Sequence, residues 1–512
     1  MGVSPYSRAA LSRSATHFLA GKAVSALLTV ILLLWLVRLL STEEYGAYVA
    51  FVSAMELMLA ITSLGLPWVA ARYLPEFRLY ASGNKLSQFV WQLVGRLVAF
   101  LVAGSLLLFA VMPWALESLE LMQHTAAARL YLLVVIMEGT GRNIRDHILG
   151  PLLQQGSAQI SLVARNLVML LLISITVLQG PVYLHAVVLI EIAASLFGIF
   201  VAIRALTRYL HAHRDLPGKN DWQPDIWRER WRIAFYMYFN HLVTMTYSPQ
   251  AFVFLIQRYI GIEATALFGF LRSLYTQIAN YLPASLLFSL IRPKLIASYV
   301  GEGGPGELTR NANLAGKLSL FALMPVLVFV GLVNDELLSL LSGGKFVSGG
   351  YYLAGLLLTL IPFSQRHIVE TVAVANNMSS LCLWGSALGV LSLPLAYVLV
   401  ESGLGLWGPI VAMLVGQLIF NTVLIGALVR TTAYRPDMPG FIKLSASALL
   451  SFLVIQQMSM QNALPMHGLL KLLLYAALGC GLYLLVSYFL KPFNGDERAR
   501  LNRLLRRNIF IW

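Results

Sequence analysis

Long apolar runs recur along the whole chain, separated by short polar turns. An α-helix needs roughly twenty apolar residues to cross the hydrocarbon core of a bilayer. On that window the pattern predicts spans near 18–40, 45–71, 87–112, 126–141, 158–179, 182–204, 233–257, 263–291, 314–333, 350–375, 380–400, 405–429, 441–458 and 468–490. The fourth is short, and its helix is expected to continue through Gly139 and Gly141 towards Leu153. Backbone polar groups cannot be left open in lipid, so a spanning segment is a helix or part of a closed barrel. Barrel strands alternate apolar and polar positions, whereas these runs are unbroken. The expectation is an all-α polytopic membrane protein with about fourteen transmembrane helices.

Composition agrees. The chain of 512 residues is 58% hydrophobic, its mean hydropathy is +0.74 and only 12% of it is charged. That charged share is about half of what a soluble protein uses to stay dispersed. The net charge of +14 would suggest nucleic acid in a soluble protein. Here the cations sit in short loops beside the apolar runs, as the positive-inside rule describes. With the N-terminus in the cytoplasm, alternate segments collect Arg8 and Arg13; Arg72, Arg78 and Lys85; Arg142 and Arg145; Arg204 to Arg232; Arg292, Lys294, Arg310 and Lys317; Arg430, Arg435 and Lys443; and Lys491 to Arg507. The other side receives only Arg258 and Lys345, with Glu117, Glu120, Asp335 and Glu336. A missed or invented span would invert this bias beyond the error. Both termini are therefore expected in the cytoplasm, and anionic lipid headgroups rather than nucleic acid are the expected partners of the charge. Residues 1–17 are polar and basic, and the run after them is long enough to span and remain, so no cleavable signal is expected. Cys382 and Cys480 lie in apolar runs and read as small core hydrophobes, with no disulfide framework and no metal site.

The longest polar stretch, 205–232, divides six spans from eight. It reads as a basic cytoplasmic linker between an N-terminal six-helix bundle (1–204) and a second one (233–429). Two further helices (430–490) and a basic amphipathic cytoplasmic tail (491–512) follow. In that tail Leu501, Leu504, Leu505, Ile509 and Trp512 recur at helical spacing among arginines. A weak internal repeat supports the division. Arg38-Leu-Leu-Ser-Thr-Glu43 with Tyr48 follows the first span, and Arg258-Tyr-Ile-Gly-Ile-Glu263 with Phe268 follows the seventh. Both halves begin on the same side, so the relation is a parallel one about an axis along the membrane normal.

Residues 38–78 carry a more specific pattern. Glu43, Glu44, Tyr45 and Gly46 follow an Arg-Leu-Leu step; Gly65, Leu66 and Pro67 then precede Arg72, Tyr73, Leu74, Pro75 and Glu76. The eighth span carries Arg272, Pro283 and Arg292-Pro293. This pattern resembles the Wzx-type polysaccharide flippases of the multidrug/oligosaccharidyl-lipid/polysaccharide exporter superfamily. The resemblance implies a MATE-like fold: two pseudo-symmetric six-helix bundles facing each other across a central cavity, plus two C-terminal helices. It implies a task as well, the movement of a polyprenyl-diphosphate-linked oligosaccharide from the cytoplasmic to the outer leaflet of the plasma (inner) membrane. A polysaccharide polymerase and a chain-length regulator are the protein partners it points to.

Ionisable residues inside spans are costly and are functional candidates by default. A lipid diphosphate is anionic, and arginine grips phosphate bidentately while keeping its charge. Arg272 is the first candidate for a cationic cavity, with Arg38 next, because the resemblance places their helices at the opening between the bundles. Arg165 and Arg366 follow. Each is equally a candidate structural partner for Glu56, Glu138, Glu191 or Glu370, and Arg366 and Glu370 stand i,i+4 on one helix. The same four glutamates are the candidates for ion coupling. Asn240 and His241 in the seventh span join the substrate set, since buried amides and imidazoles need partners. Tyr236, Tyr238, Tyr247, Tyr275 and Tyr281 offer rings for sugar stacking or for helix packing. Pro249, Pro283, Pro325, Pro362 and Pro394 are expected to kink spans.

No Walker loop, His-Glu-x-x-His, Gly-x-Ser-x-Gly or Asp-x-Asp signature occurs, so no cofactor and no enzyme chemistry is expected. Gly301-Glu-Gly-Gly-Pro-Gly306 has no strand before it and reads as a loop. Two alternatives compete with a flippase. A cation-coupled multidrug antiporter of the same superfamily would want acidic residues in the core, against which the intramembrane arginines argue. A membrane polysaccharide polymerase or glycosyltransferase would carry a large outer loop, and the outer loops near 113–125 and 334–349 are short.

Overall fold

The computed structural model describes residues 8–218, 227–283, 285, 304–376, 378–460, 468–505 and 507–512. Every regular element among them is helical. Eleven helices in the described residues are long and apolar enough to cross a membrane. They correspond to eleven of the expected spans. The other three differ for identifiable reasons. The helix Thr125–Arg142 has only 18 residues and carries Arg129, Glu138 and Arg142. It continues, as expected, into a wider π-helical turn, Asn143–Leu149, before the chain turns at Leu153. The seventh expected span is broken into Trp227–Met245 and Pro249–Tyr259. The second piece starts at Pro249, whose missing N–H suits a first helical turn, and Ser248 caps it. The eighth is described as a helix only over Ile262–Tyr281; Arg292 and Pro293 lie outside the described residues, as does 219–226 of the expected linker.

The chain forms two compact units, residues 1–269 and 270–512. In the first, α1 (Arg8–Leu39), α2 (Thr42–Thr62), α3 (Leu66–Tyr80), α4 (Gly83–Ser118), α5 (Thr125–Arg142), α6 (Gln155–Gln179) and α7 (Leu184–Ala212) precede α8 (Trp227–Met245), α9 (Pro249–Tyr259) and the start of α10 (Ile262–Tyr281). The expected span 45–71 ends at Thr62. Leu64 and Gly65 both take positive φ, and Pro67 sits in the first turn of the next helix. Gly65 is required twice over, since a Cβ there would stand 2.9 Å from the Ala234 carbonyl oxygen. The motif expected as a loop, Arg72 to Glu76, is part of α3. This helix buries Leu66, Val69, Ala70, Tyr73, Leu74 and Phe77 along one face. Phe77 stacks on Phe89 of α4 at 4.1 Å, and Arg78 donates to the Leu152 carbonyl. α7 runs on to Ala212, so the first part of the expected linker is helical.

The two turns of the repeat have different local chemistry. Ser41 and Glu44 form a reciprocal capping box at the start of α2, whereas Gly261 turns the chain before α10 with φ of 110°. They meet: a Cβ on Gly46 would be 2.6 Å from the Ile262 carbonyl oxygen, so only glycine lets α2 approach α10 this closely.

The second unit contains the rest of α10, then α11 (Gly304–Leu332), α12 (Asn334–Ser342), α13 (Gly350–Leu358), α14 (Leu360–Ala375), α15 (Ser379–Gly389), α16 (Ser392–Leu399), α17 (Trp407–Thr431), α18 (Met438–Met460), α19 (Gly468–Leu490) and α20 (Gly495–Leu505). Residues 304–306, expected in a loop, open α11, with Pro305 in its first turn. α11 packs against α14, α18 and α19, and α17 against α14, α15 and α16. Pro362 and Pro394 stand just after the breaks between α13 and α14 and between α15 and α16. Asn421 of α17 donates to the Pro362 carbonyl at 2.8 Å, satisfying an acceptor beside the first break. The tail is docked rather than splayed. Lys317 of α11, fully buried, pairs with Asp437 and Glu497 and donates to the Pro492 carbonyl. Leu501, Phe493, Phe510 and Trp512 join the same apolar cluster as Phe321 and Tyr483.

Candidate functional site

Among the described residues, the largest assembly of buried charge lies inside the first unit. Glu138 of α5 is reached by three guanidinium groups: Arg142 at 3.1 Å, Arg145 at 2.7 Å and Arg165 of α6 at 2.7 Å. Arg165 also pairs with Glu191 of α7 at 2.7 Å. The Tyr48 hydroxyl of α2 donates to Glu191 at 3.1 Å. Around Arg165, Ser195 Oγ lies 3.3 Å from its Nε, and Asn166 Oδ1 accepts from it at 3.2 Å. Asn166 donates in turn to Thr29 of α1 at 3.0 Å. Glu56 of α2, half-buried, is within electrostatic reach of Arg142.

Local sequence explains part of this. Glu138, Arg142 and Arg145 are spaced i, i+4, i+7, so one helical face carries all three. The π-helical turn begins right after Arg142 and re-aims Arg145 back onto Glu138. Small residues make room for Arg165, since a Cβ on Gly198 of α7 would be 3.0 Å from the Arg165 Cβ. Desolvating one unpaired carboxylate costs several kcal/mol. Here each carboxylate has a cation, and with Glu56 the three arginines face three glutamates. The cluster is close to neutral and ties α1, α2, α5, α6 and α7 together. In this arrangement both carboxylates next to Arg165 are paired with its guanidinium, which leaves no surplus cation there.

In the second unit the cations are placed differently. Arg272 of α10 is 5% exposed, and Thr276 donates to its carbonyl. Tyr275, three residues on, has its ring 6.3 Å from Phe363 of α14, and Phe363 in turn meets the His367 ring at 4.7 Å. Arg366 lies between these two residues of α14. It is 4% exposed, with its guanidinium 3.9 Å from the centre of the Phe420 ring and donating to Ser386 at 3.0 Å and Gln417 at 3.4 Å. The turns that carry Arg272 and Arg366 therefore belong to neighbouring helices lined with aromatic rings. Glu370 is half-buried one turn beyond Arg366.

The remaining sequence candidates scatter. Arg38 is exposed in the last turn of α1, where its long stem can reach an interface. Asn240 of α8 is buried and Thr244 donates to its carbonyl; His241 beside it is half-buried. Two sets of residues escape the sequence reading. Arg142 and Arg145 read as loop charge, although their spacing from Glu138 is a usable signal. Lys317 also reads as loop charge, and its partners, 120 and 180 residues away, leave no local signal.

A family model described as polysaccharide biosynthesis protein matches residues 11–291, more than half of the chain. No curated protein matches it. Among solved structures, the chain is similar to the lipid II flippase MurJ in an inward closed conformation: 14% identity, TM-score 0.65, covering 96% of this chain and 99% of that one. It is similar to a multidrug resistance MATE family transporter of the MOP superfamily in an inward-facing conformation, at 14% identity and TM-score 0.58, over 80% and 96% of the two chains. A third is the MATE multidrug transporter DinF-BH, at 14% identity and TM-score 0.59, over 84% and 96%. Identity this low carries the fold alone, and that fold is the all-helical polytopic one of the MOP exporters. With the family model spanning both the Gly-Leu-Pro step and Arg272, the chain belongs to the polysaccharide biosynthesis protein family.

Proposed function

We propose that the chain translocates a polyprenyl-diphosphate-linked oligosaccharide from the cytoplasmic to the outer leaflet, as a transporter without enzyme chemistry of its own. The observation that carries this reading is the family match, joined to a fold shared with a lipid II flippase. Such a substrate pairs a diphosphate with many hydroxyls. Arg272 and Arg366 supply forked donors for the diphosphate, Tyr275 and Phe363 supply rings for sugars, and Asn240 and His241 supply hydrogen bonds. Arg38 serves the outer end of the path. Arg165, Glu138 and Glu191 act as the clamp of the first bundle, and Glu56 and Glu370 as charge partners. The protein sits in the plasma (inner) membrane with both termini in the cytoplasm, alongside a polymerase and a chain-length regulator. The domain order is a first bundle over 1–204, the linker 205–232, a second bundle over 233–429, two added helices over 430–490 and the tail 491–512.

A cation-coupled multidrug antiporter is favoured by one observation, the likeness to MATE transporters. Buried arginines repel a cationic drug, which ranks it second. Deleting the gene separates the two readings. The expected result is loss of surface polysaccharide, with lipid-linked oligosaccharide accumulating where only cytoplasm-side reagents reach it. Unchanged surface glycan together with drug hypersensitivity would overturn the flippase reading.

A further inference from the structure

The C-terminal tail builds a second cationic site, remote in sequence from the residues of the proposed transport path. α19 is a candidate span ending at Leu490, and α20 follows after a short turn. Between them lies a cavity of about 930 Å³ lined by Tyr488, Lys491, Arg498, Arg503, Arg507 and Phe510, among others. Four cations therefore share one hollow, and no carboxylate lines it among the described residues. The acids of the tail are engaged or turned elsewhere. Glu497 is held by Lys317 and by the Asn494 N–H, and Asp496 is exposed in the first turn of α20.

The hollow is prebuilt. Lys317 and Leu501 fix α20 against α11. Asn502 grips Phe510 from both sides, donating to its carbonyl at 3.1 Å and accepting from its N–H at 2.7 Å. Trp512 donates to the Leu484 carbonyl of α19 at 3.0 Å. These bonds bring Phe510 back against α20 and Trp512 against α19, and Arg507 lines the same hollow as Arg498 and Arg503. The Arg498 Nε is shielded from solvent and makes no hydrogen bond among the described residues. Like charges gathered in this way repel, and a multivalent anion removes the repulsion. Phosphate is the anion that arginine forks fit.

The surroundings choose between a soluble phosphate and a lipid. The hollow lies at the end of a candidate span, where a helix leaving the hydrocarbon meets lipid headgroups. Ile511 lines it, and Leu485, Phe489 and Ile509, each within one helical turn along the chain of a lining residue, are exposed apolar side chains. An acyl chain covers such residues and a free anion does not. We infer that the Lys491, Arg498, Arg503 and Arg507 hollow binds the phosphate headgroup of an anionic phospholipid, with its acyl chains along Leu485 and Phe489. The site rests on the tail alone and holds whatever the transported substrate is.

The test uses the full chain, purified and placed in phosphatidylcholine nanodiscs with or without phosphatidylglycerol. Native mass spectrometry reads retained lipid, and thermal unfolding reads protection. Phosphatidylglycerol should stay bound and raise the unfolding midpoint, while millimolar inorganic phosphate does neither. The variant R498Q/R503Q/R507Q should retain phosphatidylglycerol at least roughly tenfold more weakly, whereas R204Q/R208Q/R214Q should behave as wild type. Arg503 is exposed, so R503Q alone carries the test if the triple variant fails to fold, again with weaker retention. Wild-type retention in the tail variants would overturn the site. Equal protection by inorganic phosphate would show a soluble-anion site and overturn the lipid assignment.

Discussion

Arg272→Ala abolishes export of the surface polysaccharide while the protein accumulates near its normal level. Removing the guanidinium deletes a forked donor that matches two phosphate oxygens, a contact of about 1.5–3 kcal/mol when one partner is charged. That loss corresponds to roughly ten- to a hundredfold in binding, and more in turnover if the contact tightens as the diphosphate crosses. Tyr275 and Phe363 remain to pack the same region, which is why folding should tolerate the change. Arg272→Lys should keep part of the activity, because a point charge attracts phosphate without the fork. Surface polysaccharide measured beside an immunoblot of the membrane fraction checks both. Full export in Arg272→Ala would remove this residue from the path.

Arg165→Ala has the opposite signature: the folded protein itself is lost. Its side chain is the cation shared by Glu138 and Glu191. Breaking a buried pair by deleting one partner typically costs about 3–5 kcal/mol, a large part of a domain's whole stability. Glu138 keeps Arg142 and Arg145. Glu191 keeps only the Tyr48 hydroxyl within hydrogen-bonding reach among the described residues. Arg165→Met combined with Glu191→Gln removes the stranded carboxylate while Glu138 stays with Arg142 and Arg145, and should recover much of the lost stability. Thermal unfolding in detergent compares the three proteins. An unshifted midpoint for Arg165→Ala would show that the cluster does not hold the bundle.

Most of the architecture is legible in the sequence because lipid is an undemanding reader. It requires about twenty apolar residues and rejects open backbone, and eleven expected spans satisfy it as continuous helices or proline-broken ones. What is not legible depends on other rules. The break at Leu64 and Gly65 is a local backbone event inside an apolar stretch, so hydropathy runs through it to residue 71. The part of α3 from Arg72 on reads as a loop although Tyr73, Leu74 and Phe77 continue the helical spacing of Leu66 and Val69. Its length and its central Pro75 hide the pattern. The charge network divides the same way. Glu138, Arg142 and Arg145 share one face by spacing alone. The addition of Arg165 and Glu191 is set by how α5, α6 and α7 pack, and no window of sequence contains that. Both readings of Arg165 are open from sequence, and the 2.7 Å contacts to two carboxylates are what favour the clamp.

Driving force separates this account from its rival. We propose that the membrane potential and consumption of product outside, without a proton or sodium gradient, drive translocation. Moving one charge through 100 mV is worth about 2.3 kcal/mol, and an anionic diphosphate leaving an inside-negative compartment moves with that field. The most direct test is reconstitution of the purified chain in vesicles that hold a fluorescent polyprenyl-diphosphate oligosaccharide and an inside-negative potential, with no proton or sodium gradient. The account predicts that the labelled headgroup becomes accessible to an external quencher far faster than in empty vesicles. Glu56→Gln should remain at least partly active, and Arg272→Ala should match empty vesicles. Wild-type vesicles no faster than empty ones, or active only when an ion gradient is imposed, would contradict it.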